Sequence, residues 1–346
     1  MKKVVIEGAL GVWAREQYLP FLADKARRGE IQLYLVDVKD PTSESPVGQL
    51  LKERIPTVTF QNRRKLSSNK LGQECEAEHV FILTPPQTHC EIASEWLDKA
   101  KEIYIEKPLD VSWEAAEELE YAAKNSDAQV FGFDHYLARI QPLLAVRDKW
   151  TPLLGMLEYC EVRILEPERI EIERVEAVKC GIILDLGPHA LAVLGAFLED
   201  RRGIGCVMEE LEIVDVYGSR YRGAPIPGET YARVELMHHN CKFPIFVTLG
   251  KNIRGTPDKQ LFFVGERATG RCDFDDSSFS IVVEGRTEIS GRLDSKPVVS
   301  SLAAALGDTS LQESPRFLSL PEAKGILKKL LGIRRRLGSV RDSGFR

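Results

Sequence analysis

The rhythm of apolar and polar positions changes near residue 150. Before that point, short apolar runs alternate with stretches of helical period. Val4–Ile6 runs into "EGALG" and is followed by helical spacing from Val12 to about Arg27. "IQLYLVDV" (31–38) predicts a second strand, Thr57–Phe60 a weak third, and "HVFILTPP" (79–86) a fourth closed by two prolines. A helix follows from Gln87 to about Lys99, then a fifth strand over Glu102–Ile105. Trp113–Asn125 reads as a further helix and "QVFGF" (129–133) as a sixth strand. Apolar strands separated by helices of this length build a parallel sheet covered on both faces.

Beyond residue 150, "GMLEYCEVRIL" (155–165) and "RIEIERVEA" (169–177) alternate apolar with charged positions, as half-exposed strands do. "GPHALAVLGAFLED" (187–200) predicts a helix. Strand patterns recur at 211–217, 231–238, 243–249, 260–264 and 279–290. Hairpin-type connections of that kind imply a mostly antiparallel sheet. The expected architecture is α/β: a doubly wound parallel sheet over residues 1–135, then an α+β domain over 136–346 built on a large, mostly antiparallel sheet. The basic tail, "LKKLLGIRRRLGSVRDSGFR", reads as a terminal amphipathic helix.

Composition narrows the function classes. A chain of 346 residues with 43% hydrophobic content has enough apolar surface for two cores. Its net charge of −5 argues against nucleic acid as a partner. No apolar run reaches the length of a membrane span, and "MKKVVIEGAL" enters a strand without a cleavage site. The seven cysteines lack a CxxC pair and fit reduced thiols, so a cytoplasmic protein is expected. The six histidines lack metal-ligand spacing, and no metal is expected.

Chemistry concentrates at strand ends. In "VVIEGALGVWA", Gly8 and Gly11 lie between a strand and a helix, with Ala14 a turn later. A dinucleotide-binding (Rossmann) turn needs glycine to bend and to let main chain approach a pyrophosphate, and a small residue for packing. The helix start then offers free N–H groups to phosphate. Asp37 ends the second strand, where a carboxylate accepts from a ribose diol and repels a 2′-phosphate, favouring NAD with NADP as the alternative. In "IYIEKPLD" (103–110), Glu106 and Lys107 end an apolar strand, costly unless the charges are paired or used. A residue before proline stays extended, so Lys107 is expected to aim its ammonium at the cofactor crevice.

The stretch "TPPQTHCEIASEWLDKAKEIYIEKPLD" resembles the signature of the glucose–fructose oxidoreductase / inositol dehydrogenase (Gfo/Idh/MocA) family, as does "GIILDLGPHAL". The resemblance implies cofactor contacts from Gly8, Leu10, Gly11, Val12, Asp37, Thr84, Pro85, His89, Glu106 and Lys107. It implies His189 as general acid/base, assisted by Lys107 and Asp185. Asp185 and His189 are four residues apart, the spacing of one helix face. The family's glycine triplet appears here as Lys179–Cys180–Gly181. A narrower resemblance, to glucose-6-phosphate dehydrogenases, rests on "GALGVWAREQYLPFL", "IEKPLD" and "GFDHYLAR". It implies a sugar-phosphate clamp of His135, Tyr136 and Arg139, in which the guanidinium supplies a bidentate fork.

These readings converge on an NAD(P)-dependent dehydrogenase of a sugar phosphate, with glucose 6-phosphate oxidised at C1 or C3 as the sharpest expectation. An unphosphorylated sugar or a cyclitol is the alternative substrate. Related enzymes with internal hydride transfer, or a non-catalytic NAD-binding sensor, are the rival functions. Antiparallel sheets in this family pair copies, so a homodimer or homotetramer is expected.

Overall fold

The computed structural model describes residues 1–65, 76–166, 181–199, 201–220, 229–239, 242–251, 255–308 and 315–342. The strand expected over 169–177 and the pair Lys179–Cys180 lie outside these. The chain divides into two units: Met1–Phe133 with Val298–Ala323, and Asp134–Pro297 with Lys324–Arg346.

The first unit is built on strands β1 (Lys2–Glu7), β2 (Ile31–Asp37), β3 (Val58–Asn62), β4 (Ala77–Ile82), β5 (Ala100–Glu106), β6 (Gln129–Phe133) and β15 (Leu318–Ser319). Their order is β15-β6-β5-β4-β1-β2-β3. All pairs are parallel except β15 on β6. The order 3-2-1-4-5-6 is that of doubly wound dinucleotide-binding sheets. Four of its helices are α1 (Leu19–Arg27), α2 (Pro46–Lys52), α3 (His89–Trp96) and α4 (Trp113–Ala123). Ser45 and Ser112 cap α2 and α4, accepting from the N–H of Gly48 (3.1 Å) and Ala115 (3.2 Å).

A return crossing, absent from the sequence reading, completes this unit. Helix α10 (Pro297–Ala305) brings Val298, Leu302 and Ala305 into the core, followed by Leu306. Phe317 then joins Tyr104, Phe131 and Phe133 in one aromatic cluster, with centroids 4.9–6.0 Å from its own.

The second unit carries strands β7 (Leu157–Glu166), β8 (Leu211–Ser219), β9 (Tyr231–His238), β10 (Pro244–Lys251), β11 (Asp258–Gly265), β12 (Ala268–Asp273), β13 (Ser278–Val283) and β14 (Arg286–Arg292). They run in the order β14-β13-β12-β11-β7-β10-β9-β8. Only the β7–β10 pair is parallel among the described strands. Its helices are α5 (His135–Leu144), α6 (Arg147–Leu154), α7 (Ile182–Asp185), α8 (Gly187–Leu198) and α9 (Ile204–Glu210), with most of α11 (Leu320–Asp342). Residues Gly187 to Phe197 of α8 are buried on every side, as an apolar helix must be. Burying each of Leu191, Val193, Leu194 and Phe197 there contributes about 1.5–3 kcal/mol. The expected terminal helix is α11, which buries Leu327, Leu330, Ile333 and Leu337 on one stripe.

Candidate active site

In the first unit, the carboxyl ends of β1, β2, β4 and β5 form one edge. Gly8 follows β1 with φ +82°, and its N–H donates to the Val36 carbonyl at 2.9 Å. A Cβ at Gly8 would lie 2.8 Å from the Leu83 carbonyl and 2.9 Å from Thr84 N, so only glycine lets the turn lie against β4. Leu10 N donates to Asp37 Oδ2 at 3.0 Å, and Lys39 N to Oδ1 at 3.1 Å. Gly8, Leu10, Asp37 and Thr84 are thus brought together. Gly11 is exposed beside them, and Val12 half-buried.

The charges at the end of β5 have separate fates. Glu106 is buried, and its Oε1 accepts from Trp13 Nε1 (2.9 Å) and Tyr18 OH (3.0 Å). Its Oε2 accepts from Lys107 N at 2.9 Å. Three donors hold the carboxylate inside and tie the π-helical turn Ala14–Tyr18 to β5. Lys107 is half-buried at the strand end.

His89 lies within the same edge. Its Nδ1 contacts the Pro108 carbonyl at 2.9 Å and its Nε2 the Thr84 carbonyl at 2.7 Å. Burial lowers the pKa of the ring, and the two carbonyls with Asp110 oppose that without overcoming it. A neutral ring donates to one carbonyl only, so one of the two contacts is polar packing. His89 links the loop after β4 to the loop after β5. Pro85 is exposed on the first of these loops.

In the second unit, α5 begins at Asp134, whose Oδ1 accepts from Tyr136 N at 3.0 Å as an N-cap. The same oxygen faces His189 Nδ1 of α8 at 2.8 Å. Burial opposes the Asp134 charge, but His189, His135 and the Tyr136 N–H hold its carboxyl below the usual carboxylate value. The ring of Tyr136 stacks on His189 at 4.5 Å, and His135 meets it edge-on at 4.7 Å. Burial, and next Glu166, push the Tyr136 phenol up.

Arg139 lies one turn further along α5. Its guanidinium sits 5.7 Å from the Tyr136 ring centroid and 5.9 Å from that of Phe274. Its Nη2 donates to the Phe274 carbonyl and, at 3.4 Å, to Ser277 Oγ.

Asp185 closes α7, and His189 stands in the next helix beyond Leu186, so the two do not share one continuous helix. Lys251 Nζ donates to Asp185 Oδ2 at 2.9 Å and pairs with Glu166 Oε2 at 3.1 Å. Lys259 pairs with Glu166 Oε1 at 3.0 Å. Burial disfavours the Lys251 charge, yet the two carboxylates raise its pKa, so it stays an ammonium. Gly181, at φ +84°, opens α7. A Cβ there would lie 2.5 Å from Glu229 Oε1, the oxygen that accepts from Ile183 N at 3.2 Å.

Sequence reasoning missed Asp134 as the partner of His189, and missed Lys251 and Glu166 altogether. The signal for Asp134 was its place before "HYLAR", where an aspartate caps a helix and faces what packs on that helix start. Lys251 and Glu166 carry no local signal, since only the parallel pairing of β7 with β10 makes them neighbours.

Residues 2–133 match the model of GFO_IDH_MocA, the oxidoreductase family with an NAD-binding Rossmann fold. Together with the strand order and glycine turn, the match defines the class: an NAD(P)-dependent oxidoreductase, with the first unit as its dinucleotide-binding domain. No curated protein matches the chain by sequence. Solved structures share the fold over nearly its whole length. A 3-ketoreductase from Actinomadura kijaniata in complex with NADP and TDP-benzene is 16% identical, with TM-score 0.72, covering 96% of this chain and 97% of that one. Glucose-6-phosphate 1-dehydrogenase from Mycobacterium avium is 16% identical, with TM-score 0.73, covering 100% and 93%. UDP-N-acetylglucosamine 3-dehydrogenase from Acidithiobacillus ferrooxidans is 18% identical, with TM-score 0.69, covering 97% and 98%. Among the described residues, no helix is long and apolar enough to cross a membrane.

Proposed function

We propose that the protein oxidises a hydroxyl of a sugar phosphate, with glucose 6-phosphate at C1 or C3 as the first substrate to test. The observation that carries this reading is the 2.8 Å contact between His189 Nδ1 and Asp134 Oδ1. A carboxylate on Nδ1 fixes the tautomer that leaves Nε2 free to take a proton, and it stabilises the imidazolium that forms. Asp134 is itself fixed as a helix cap, so the imidazole is oriented before substrate arrives.

The residues of the first unit fit a bound NAD. Gly8 and Gly11 add no side chain to the turn, and Gly11 is exposed. Each Asp37 oxygen accepts one main-chain N–H and keeps a lone pair for a ribose hydroxyl. The negative charge of Asp37 favours NAD over NADP. When bound, the nicotinamide supplies the hydride acceptor. His189 takes the hydroxyl proton, Lys107 serves as the polarising ammonium, and Asp185, its charge steadied by Lys251, positions the substrate. His135, Tyr136 and Arg139 take the phosphate. The same reading carries a homodimer or homotetramer, which light scattering tests.

A panel of sugars, cyclitols, sugar 6-phosphates and nucleotide sugars, assayed for NADH and NADPH formation, tests the proposal. Phosphorylated sugars should turn over best, and Arg139→Ala should remove that preference. His189→Asn should lower turnover by about 10²–10⁴-fold while NAD still binds. Preference for unphosphorylated sugars would move the reading to the cyclitol-type alternative. NAD binding without turnover of any substrate would favour the sensor.

A further inference from the structure

Two histidines and an aspartate, 55 residues apart in sequence at the extremes, more than cap a helix where α5 and α8 meet. Asp134, His135 and His189 are all buried, and one ligand atom from each lies within 4.8 Å of the others. We propose that these three residues form a site for a divalent transition cation of the zinc type. Two imidazoles and a carboxylate are the donor set that such ions prefer, whereas magnesium and calcium call for oxygen alone.

The geometry is close to what such an ion needs. Bonds of about 2.0–2.2 Å around a tetrahedral ion place ligand atoms roughly 3.3 Å apart. The Asp134 Oδ1 to His189 Nδ1 pair stands at 2.8 Å, so it opens by about half an ångström, while His135 turns inward. The second observation is Asp134 Oδ2, which is buried and has no hydrogen-bond partner among the described residues. A carboxylate oxygen held dry without a donor favours a cation beside it. Helix starts and ring stacking hold two of the ligands: Asp134 as the α5 cap, His189 under Tyr136.

Binding is a ligand exchange without redox change. The ion takes the Nδ1 lone pair of a neutral His189, and the ring proton that faced Asp134 moves to Nε2. A ring protonated at Nε2 takes no further proton there. On the reading of His189 as the base, the occupied site therefore silences turnover.

The test uses the full-length protein stripped with a chelator, titrated with zinc chloride by calorimetry and with cobalt(II) by visible absorption. One equivalent should bind, and cobalt should give the ligand-field bands of a low-coordinate nitrogen and oxygen site. His135→Gln should weaken binding by at least about tenfold. Asp134→Asn, which retains a capping side chain, should do the same, with folding checked by circular dichroism. Absence of stoichiometric binding, or binding indifferent to both substitutions, would overturn the site. Zinc should also stop turnover, and a chelator should restore it. Binding that leaves turnover intact would keep the metal site and remove His189 from the base role.

Discussion

Glu106 illustrates how a costly residue becomes a fixed one. A buried carboxylate without partners would be driven to protonate or to leave the core, yet Trp13, Tyr18 and Lys107 N supply three donors. The sequence showed that Glu106 stood at the end of an apolar strand. It did not show the donors, because Trp13 lies 93 positions earlier. His89 carries a testable consequence at the same scale. Its folded pKa is lowered by burial, so the native ring stays neutral where an unfolded one is protonated. The unfolded state then binds more protons below pH ~6.5, and stability falls with decreasing pH by up to about 1.4 kcal/mol per unit for this group. His79, also buried and lowered, adds in the same direction. Urea unfolding at about pH 7.5 and about pH 5.5 should show the loss, and His89→Gln should flatten it. Equal slopes for the two proteins would mean that His89 is not the titrating group.

At the scale of elements, strands of the first unit were legible because both sheet faces are covered, which makes continuous apolar runs. The second unit was less so. The stretch 279–290 read as one strand, but Glu284 and Gly285 adopt φ of +48° and +77° and fold it into the β13–β14 hairpin. Two consecutive positive φ values make the type I′ turn that matches strand twist. A glutamate in that place hid the signal. Gly8 gives the prediction for this scale. The atoms that a Cβ would meet are main chain of the loop after β4, which has no rotamer to yield. Gly8→Ala should lower the melting temperature and weaken NAD binding by at least about tenfold, since strain at positive φ costs ~1–3 kcal/mol. Unchanged binding in calorimetry would show that the turn tolerates a wider path.

For the whole molecule, the return of residues 298–323 to the first unit was invisible in sequence. Nothing in "VVSSLAAAL" distinguishes a helix of one core from a helix of another. The structure decides it through Leu302 in the core, Lys25 paired with Asp308 at 3.2 Å, and Phe317 among the strand aromatics. A fragment ending at residue 135 lacks β15 and that helix. It should be poorly folded by near-ultraviolet circular dichroism, and fusing residues 298–323 to its end should restore the signal. A fragment that folds and binds NAD without them would make the crossing dispensable.

That crossing also sets a schedule for the growing chain. The nucleotide-binding unit is contiguous only to Phe133 and is finished by Ala323, roughly 190 residues later. At ribosomal speeds of about 5–20 residues per second, its last strand emerges about 10–40 s after its first six. During that interval the edge of β6 stands open, and the Asp134–Pro297 part of the second unit is synthesised before the first can close. The coenzyme is therefore expected to be captured only after residues 298–323 have emerged, rather than once the first six strands are made.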